Sequence, residues 1–351
     1  MQTGISLYLG SDLEVNERVI ACARRAHVSY AFTSLHIPEE SGVDYGRGVR
    51  HLLGLLDAAD ISLIADVGPD TCEKLGCSRI EDLAEMGVTH VRLDYGFDPQ
   101  QTAQLSRTFH IVCNASTVSA QEVSVWRESG ADLTRFAACH NYYPKRWTGL
   151  DLADVRRMNR RLAAYGFETI GFVPGNKTMR GPLFEGLPTV EGQRNQRDRI
   201  AVNALELALD GGCDIVIVGD VDLTDSGWDQ LGQLSRGFVD VGCTLESGYE
   251  YLRGQVHHDR VDSSPWVFRS PESRTTLRPE RALAPDATAG APRSVGSIAV
   301  SNSAYLRYEG ELEIARRDLL GDVRTNVVGQ VDAEDLDLLS YVREGFGLRL
   351  I

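Results

Sequence analysis

Ionisable and amide side chains gather just beyond the short apolar runs of this 351-residue chain. His36, Glu39 and Glu40 follow YAFTSL, Asp66 closes on SLIADV, and Asp94 and Tyr95 end HVRLDY. Asn114 ends HIVCN, and His140, Asn141, Tyr142 and Tyr143 follow LTRFAAC. Asn176, Lys177 and Arg180 follow ETIGFV, and Asp220 and Asp222 follow DIVIVG. Carboxylates so placed can give or take protons, while amides and cations can hold an anionic ligand. A duller reading is open at each position: Asp66 or Asp220 could cap the next helix, and Asn114 could serve a turn. Joint placement is what points to a site. His36 and His140 with a carboxylate would suit a metal ion, although no H-x-H or H-E-x-x-H spacing occurs.

Residues 180 to 194, RGPLFEGLPTVEGQR, form an irregular stretch where a connection of a few residues is usual. Its prolines and glycines stop helix and strand and let backbone curve over a pocket, with Phe184 and Leu187 to pin the curve to a rim. Arg180 and Arg194 bound the stretch, and the chain's only lysines are Lys74, Lys145 and Lys177. Two of those three lie beside these loops, which favours an anion site there.

The elements that must position these residues are strands at 5–10, 30–35, 62–67, 90–95, 110–115, 133–138, 168–173 and 214–219. Between them apolar residues return every three or four positions, as in DLADVRRMNRRLAAYG and QRDRIAVNALELALDGG, and glycines mark the helix ends. Eight strand-and-helix units predict a (β/α)8 TIM-type barrel, whose ligands bind at the C-terminal ends of the strands. A doubly wound sheet is the alternative, but the first turn, GSDLEVN, lacks G-x-G-x-x-G. Beyond Phe238 short strand-like pieces, SIAVSNS, GELEIA and TNVVGQV, crowd together. The expected domains are a barrel over 1–238 and a small β domain over 239–351.

Composition sets the outer limits. Hydrophobic content of 42% and charged content of 25% are those of a globular protein, and a net charge of −14 argues against nucleic acid or anionic membranes as partners. No apolar run approaches about 18 residues and the N-terminus has no signal-like pattern, so a cytoplasmic protein is expected. Seven scattered cysteines suggest reduced thiols, and no cofactor is expected. The expected partner is a small anionic molecule, and a homodimer is compatible with the sequence.

SLHIPEE, RLDYGF, CNAST, CHNYYPKRWTGL, VPGNKTMRGPLFEGLPTVEGQR and IVIVGD, with YLRYEGELEI and DVRTNVVGQV near the end, form a set that resembles the MupG family of 6-phospho-N-acetylmuramidases. The resemblance runs through the whole chain. It implies a TIM-type barrel followed by a cyclophilin-like β domain, and cytoplasmic cleavage of the β-1,4 bond in 6-phosphorylated MurNAc-GlcNAc during peptidoglycan recycling. This sequence departs from the family pattern at Gly68, at Glu191-Gly192-Gln193 and at Trp147.

Glycoside hydrolysis needs an acid for the leaving oxygen and a carboxylate, an activated water or the substrate's own acetamido group on the other side. Asp94 and Glu185 are the expected reacting pair, with Asp220 third. Lys177 and Arg180 are expected on the phosphate and Arg194 or Arg146 on the lactyl group, with Tyr142, Tyr143 and Trp147 as a floor for the sugar rings. His36, Glu39, Asp66, Asn114, His140, Asn141, Asn176 and, from the C-terminal domain, Arg324 complete the expected substrate contacts. A metal-dependent barrel acting on another phosphorylated sugar and a non-catalytic phospho-sugar binder are the alternatives.

Overall fold

The computed structural model describes residues 1–35, 45–93, 96–277 and 282–351. It divides into two compact units, Met1–Ser235 and Arg236–Ile351. In the first, eight parallel strands close into a barrel: β1 (Gln2–Ser6), β2 (Tyr30–Ser34), β3 (Ser62–Val67), β4 (His90–Leu93), β5 (His110–Asn114), β6 (Phe136–Cys139), β7 (Glu168–Val173) and β8 (Ile215–Val218). They follow one another round the barrel in chain order, and β8 pairs back onto β1. The connecting helices are α1 (Leu13–Arg25), α2 (Tyr45–Ala58), α3 (Thr71–Leu75), α4 (Pro99–Leu105), α5 (Ala120–Glu128), α6 (Leu152–Ala163), α7 (Ile200–Leu205) and α8 (Asp225–Ser235).

The strands are continuous apolar runs because a parallel sheet inside a ring of helices is buried on both faces; all four residues of β8 are buried. Phe32, Ile64, Val112, Ile170, Phe172, Ile215 and Ile217 fill the barrel interior. Helix starts are fixed by short polar side chains: Asp98 accepts from the Gln101 amide at 2.8 Å and Asp151 from the Ala153 amide at 2.8 Å.

The strand bounds shift by a few residues from the sequence expectation, and three departures have a visible cause. β1 ends at Ser6, and Leu7 to Gly10 leave the sheet for the rim, where the Tyr8 hydroxyl donates to the Gly219 carbonyl. β6 begins only at Phe136, because Leu133–Arg135 wind into a 3-10 turn whose Thr134 amide is capped by Asp132 at 3.2 Å. The helix after the 180–194 stretch passes from α7 into a π-type turn at Glu206–Asp210.

The second unit is built of β9 (Phe238–Val241), β10 (Cys243–Leu245), β11 (Val256–His258), β12 (Val267–Ser270), β13 (Ser297–Ser301), β14 (Leu312–Ala315), β15 (Thr325–Val331) and β16 (Gly347–Leu350). Five strands form one antiparallel sheet in the order β10-β15-β13-β14-β12, and β11-β16-β9 form a second, mixed sheet in which β16 runs parallel to β9. Phe268, Ile298, Leu312, Ile314 and Val328 are fully enclosed. Among the described residues no helix is long and apolar enough to cross a membrane.

Candidate active site

At the C-terminal end of the barrel a polar layer lies directly on the apolar core. Asp66, the fifth residue of β3, accepts from the Arg92 guanidinium at 2.7 Å, and both side chains are nearly enclosed, at 7% and 5% exposure. The other arm of Arg92 donates to Asn141 Oδ1 at 2.7 Å, and the Asn114 amide reaches the same oxygen at 3.5 Å. Strands β3, β4, β5 and β6 are thereby stitched together by one charged pair and two amides. A buried pair with its remaining hydrogen-bonding atoms satisfied is a rigid electrostatic platform, and it loses stability if either partner is removed.

Beside that layer stand two tyrosines. The Tyr142 ring packs edge-on against Phe32 and Phe172, at 6.4 and 5.2 Å between centroids, so its apolar face belongs to the core. Burial, with nearby Asp66, pushes its hydroxyl up to about 12. Tyr8 is buried, and burial raises its hydroxyl well above the usual tyrosine value. The Arg180 guanidinium lies 4.3 Å over the Tyr8 ring, a cation-π contact at the mouth. Both phenols stay protonated at neutral pH and can donate.

Asp220, just past β8, is 1% exposed. One oxygen accepts from the Gly175 and Leu187 amides at 2.9 and 3.0 Å, and the other from the Arg180 amide at 2.9 Å. Burial raises its carboxyl above the ordinary aspartate value, against the pull of those three amides. Its visible task is to hold the loop after β7 in place. A Cβ at Gly219 would stand 2.5 Å from the Leu187 carbonyl, so only glycine lets that loop lie on the end of β8.

The loops after β6 and β7 are zipped together. Tyr143 donates its amide to Pro188 O at 3.0 Å, Thr189 Oγ1 donates to Asn141 O at 3.0 Å, and Leu150 bridges Val190. Arg194 sits at the centre of this zip and corrects the expectation that it binds substrate. It is 3% exposed and donates to the Glu185, Gly186, Tyr143 and Lys145 carbonyls and to both oxygens of Glu191. Glu191 in turn accepts from the Trp147 and Gly149 amides, each at 2.9 Å. The Arg194 hydrogen bonds hold its carboxyl at about 2 despite partial burial, with help from the two amides. Farther out, Arg146 Nε meets Glu185 at 2.5 Å, with 54% and 33% of the side chains exposed.

His140 is a second correction: it is fully buried, and its Nε2 faces Asn159 of α6 at 2.7 Å, away from the mouth. Burial lowers its pKa. Lys177 is half exposed and pairs with Asp222 at 3.0 Å; Arg18 of α1 shares the same enclosed carboxylate at 2.9 Å. Burial pulls Asp222 upward, but the Arg18 and Lys177 hydrogen bonds win and its pKa is lowered. Two cations on one carboxylate leave one positive charge over. Asn176 is tied to Thr224 in both directions, at 3.0 and 2.9 Å. Arg324 lies in the second unit, forked onto Asp322 at 2.9 Å with its guanidinium 4.5 Å over Tyr305. His36, Glu39 and Asp94 lie outside the described residues.

The structure therefore brings Asp66, Asn114, Asn141, Tyr142, Arg180 and Asp220 to one end of the barrel, with Glu185 and Lys177 on its loops. Sequence reasoning missed Tyr8, because ISLYLG as a strand placed it inside β1, and Arg18, because helical spacing alone does not show which turn meets β8. Arg92 did carry a signal: it is the only charge within an otherwise apolar β4 apart from the leading His90.

A closed (β/α)8 barrel whose polar layer and long loops crowd the C-terminal ends of its strands defines a barrel protein of the enzyme class. Family comparison narrows the class. Residues 3–233 match the N-terminal region, and residues 243–351 the C-terminal region, of 6-phospho-N-acetylmuramidase. The chain belongs to the 6-phospho-N-acetylmuramidase family, a glycosidase family by that name. It is similar to a conserved Enterococcus faecalis protein of unknown function, at 30% identity and a TM-score of 0.75 over 100% of this chain and 96% of that one. It is also similar to an uncharacterised B. cereus protein, at 25% identity and a TM-score of 0.72 over 100% and 99% of the two chains. No curated protein matches the chain significantly in sequence.

Proposed function

We propose that the protein is a cytoplasmic glycosidase that hydrolyses the β-1,4 bond of 6-phosphorylated MurNAc-GlcNAc, giving MurNAc-6-phosphate and GlcNAc, in peptidoglycan recycling. The observation that carries this reading is the family match in two consecutive regions over nearly the whole chain. The site supports it in three ways. Arg180, with Lys177 and the newly located Arg18, puts cations beside the loops after β7 and β8, where barrels of this kind commonly bind phosphate. Arg194 being enclosed, Arg146 is the arginine available to the lactyl carboxylate, and it would exchange Glu185 for that ligand. The Asp66–Arg92–Asn141 layer offers a fixed polar surface to the amino sugar.

In this reading Asp94 and Glu185 are the reacting pair, one protonating the glycosidic oxygen, with a carboxylate or the substrate's 2-acetamido group assisting at the anomeric carbon. Asp220 acts as a positioning residue, because its oxygens are engaged by three loop amides. Asn114 and Asn176 support the substrate site, and His36 and Glu39 keep the role of expected substrate contacts. The test is incubation of the purified protein with MurNAc-6-phosphate-GlcNAc, with and without EDTA, followed by mass spectrometry. Release of GlcNAc in both is expected. Release only without chelator would favour a metal enzyme, and tight binding without release a non-catalytic binder.

A further inference from the structure

Three large apolar side chains stand out in water on the zipped loops, Leu183 at 49% exposure and two aromatics, Trp147 at 81% and Phe184 at 63%. Exposed single hydrophobics are ordinary, but these two share a second property. Their backbones sit at φ 67° and 55°, the left-handed region that bulky side chains disfavour and glycine accepts. Neither backbone is left to relax. The Trp147 amide donates to Glu191 at 2.9 Å, and the Phe184 amide to the Arg180 carbonyl at 3.2 Å, while the Arg180 amide is itself held by Asp220. The residues next to each, Arg146 and Glu185, join the two tips at 2.5 Å. A disfavoured conformation imposed on an exposed ring at the tip of each of two joined loops reads as a feature kept for use.

We propose that Trp147 and Phe184 form an aromatic clamp for the pyranose ring of the leaving amino sugar, outside the polar layer where the glycosidic bond would be cleaved. This rests on the muramidase reading of the site. A gluco-configured ring carries its substituents equatorially, so both faces present axial C–H bonds that suit the flat face of an aromatic side chain. The Arg146–Glu185 pair bridges the two loop tips in the free protein, next to the place where the reacting carboxylate would meet the bond between the two sugars. The loops that carry the tips are fastened to the polar layer: Asn141 accepts through its carbonyl from Thr189, and the Tyr143 amide donates to the Pro188 carbonyl. Tyr142 is a separate surface, packed into the core beneath.

The test compares the full-length protein with its Trp147→Gly, Phe184→Gly and Trp147→Phe variants on two glycosides of MurNAc-6-phosphate, one with GlcNAc and one with methanol as leaving group. Each glycine variant should lose about tenfold in kcat/KM on the disaccharide, the effect of one aromatic contact, and stay within about twofold on the methyl glycoside. Because glycine suits both φ values, the melting temperature should hold or rise, and Trp147→Phe should keep most of the disaccharide rate. Equal loss on both substrates, no loss on either, or a changed oligomeric state with unaltered kinetics would overturn the clamp, the last by making the rings a protein contact. If wild type cleaves neither glycoside, the muramidase reading fails, and the clamp is then read by titrating methyl β-GlcNAc against tryptophan fluorescence. A response lost in Trp147→Phe supports the clamp, and no response in wild type overturns it.

Discussion

At the level of single residues, the mouth is governed by which charges already have partners. Arg194 looked like a ligand for an anion because it ends an arginine-bounded loop, yet it is enclosed by four carbonyls and a carboxylate. Nothing in sequence spacing separates an arginine that faces a pocket from one that clamps two loops. Arg194→Ala should cost about 3–5 kcal/mol in urea unfolding, and Arg194→Lys should recover little, since an ammonium cannot span those acceptors. Glu191 supplies the pH signature. Its folded value of about 2 lies below the ordinary 4.5, so its contribution is complete above pH 4.5 and is lost as pH falls towards 2. Urea midpoints measured from pH 6 to 3 should fall less steeply in Glu191→Gln than in wild type. His140 was misread for a related reason: one residue past the last residue of β6, it turns outward to α6 rather than inward.

Among elements, the eight strands were legible because burial on both faces demands unbroken apolar runs. Their exact ends were not. Apolar patterning does not show the Asp132 cap, two residues from the Thr134 amide it holds, nor the contact that Tyr8 makes with Gly219 on the far side of the sequence once Leu7 to Gly10 leave the sheet. The barrel wall also carries the site: Phe172 of β7 packs under Tyr142 and against Phe32. Phe172→Ala should cost about 3–5 kcal/mol and lower kcat/KM as Tyr142 loses its support. At the opposite end of the barrel, the first residues of β4 and β5, His90 and His110, stack at 4.6 Å, with Tyr30 edge-on to His90. Burial, then the neighbouring charges of His110 and Arg135, lowers His90 to about 4. That stabilisation is complete above the ordinary 6.5 and is lost as pH drops through 6.5 towards 4. A melting-temperature series over pH 7.5 to 4.5 should decline in wild type and flatten in His90→Gln.

For the molecule as a whole, the turn from an alternating β/α pattern to crowded short strands was readable in the sequence, and the two compact units meet at Ser235 and Arg236. The family was readable too, from contiguous motifs such as RGPLFEGLPT, and the family match over residues 3–233 and 243–351 agrees with that reading. The tertiary pairing within those loops was not. A chain of net charge −14 repels anions at long range, so the proposed function assigns recognition of its anionic substrate to local cations, Arg180, Lys177 and Arg18. The measurement that tests this most directly is the ratio of kcat/KM for MurNAc-6-phosphate-GlcNAc to that for the unphosphorylated disaccharide, read as GlcNAc release. A ratio of about 100 or more, falling at least about tenfold in Arg180→Ala, is predicted from the loss of one charge-assisted contact. Equal efficiency on the two disaccharides would contradict the account.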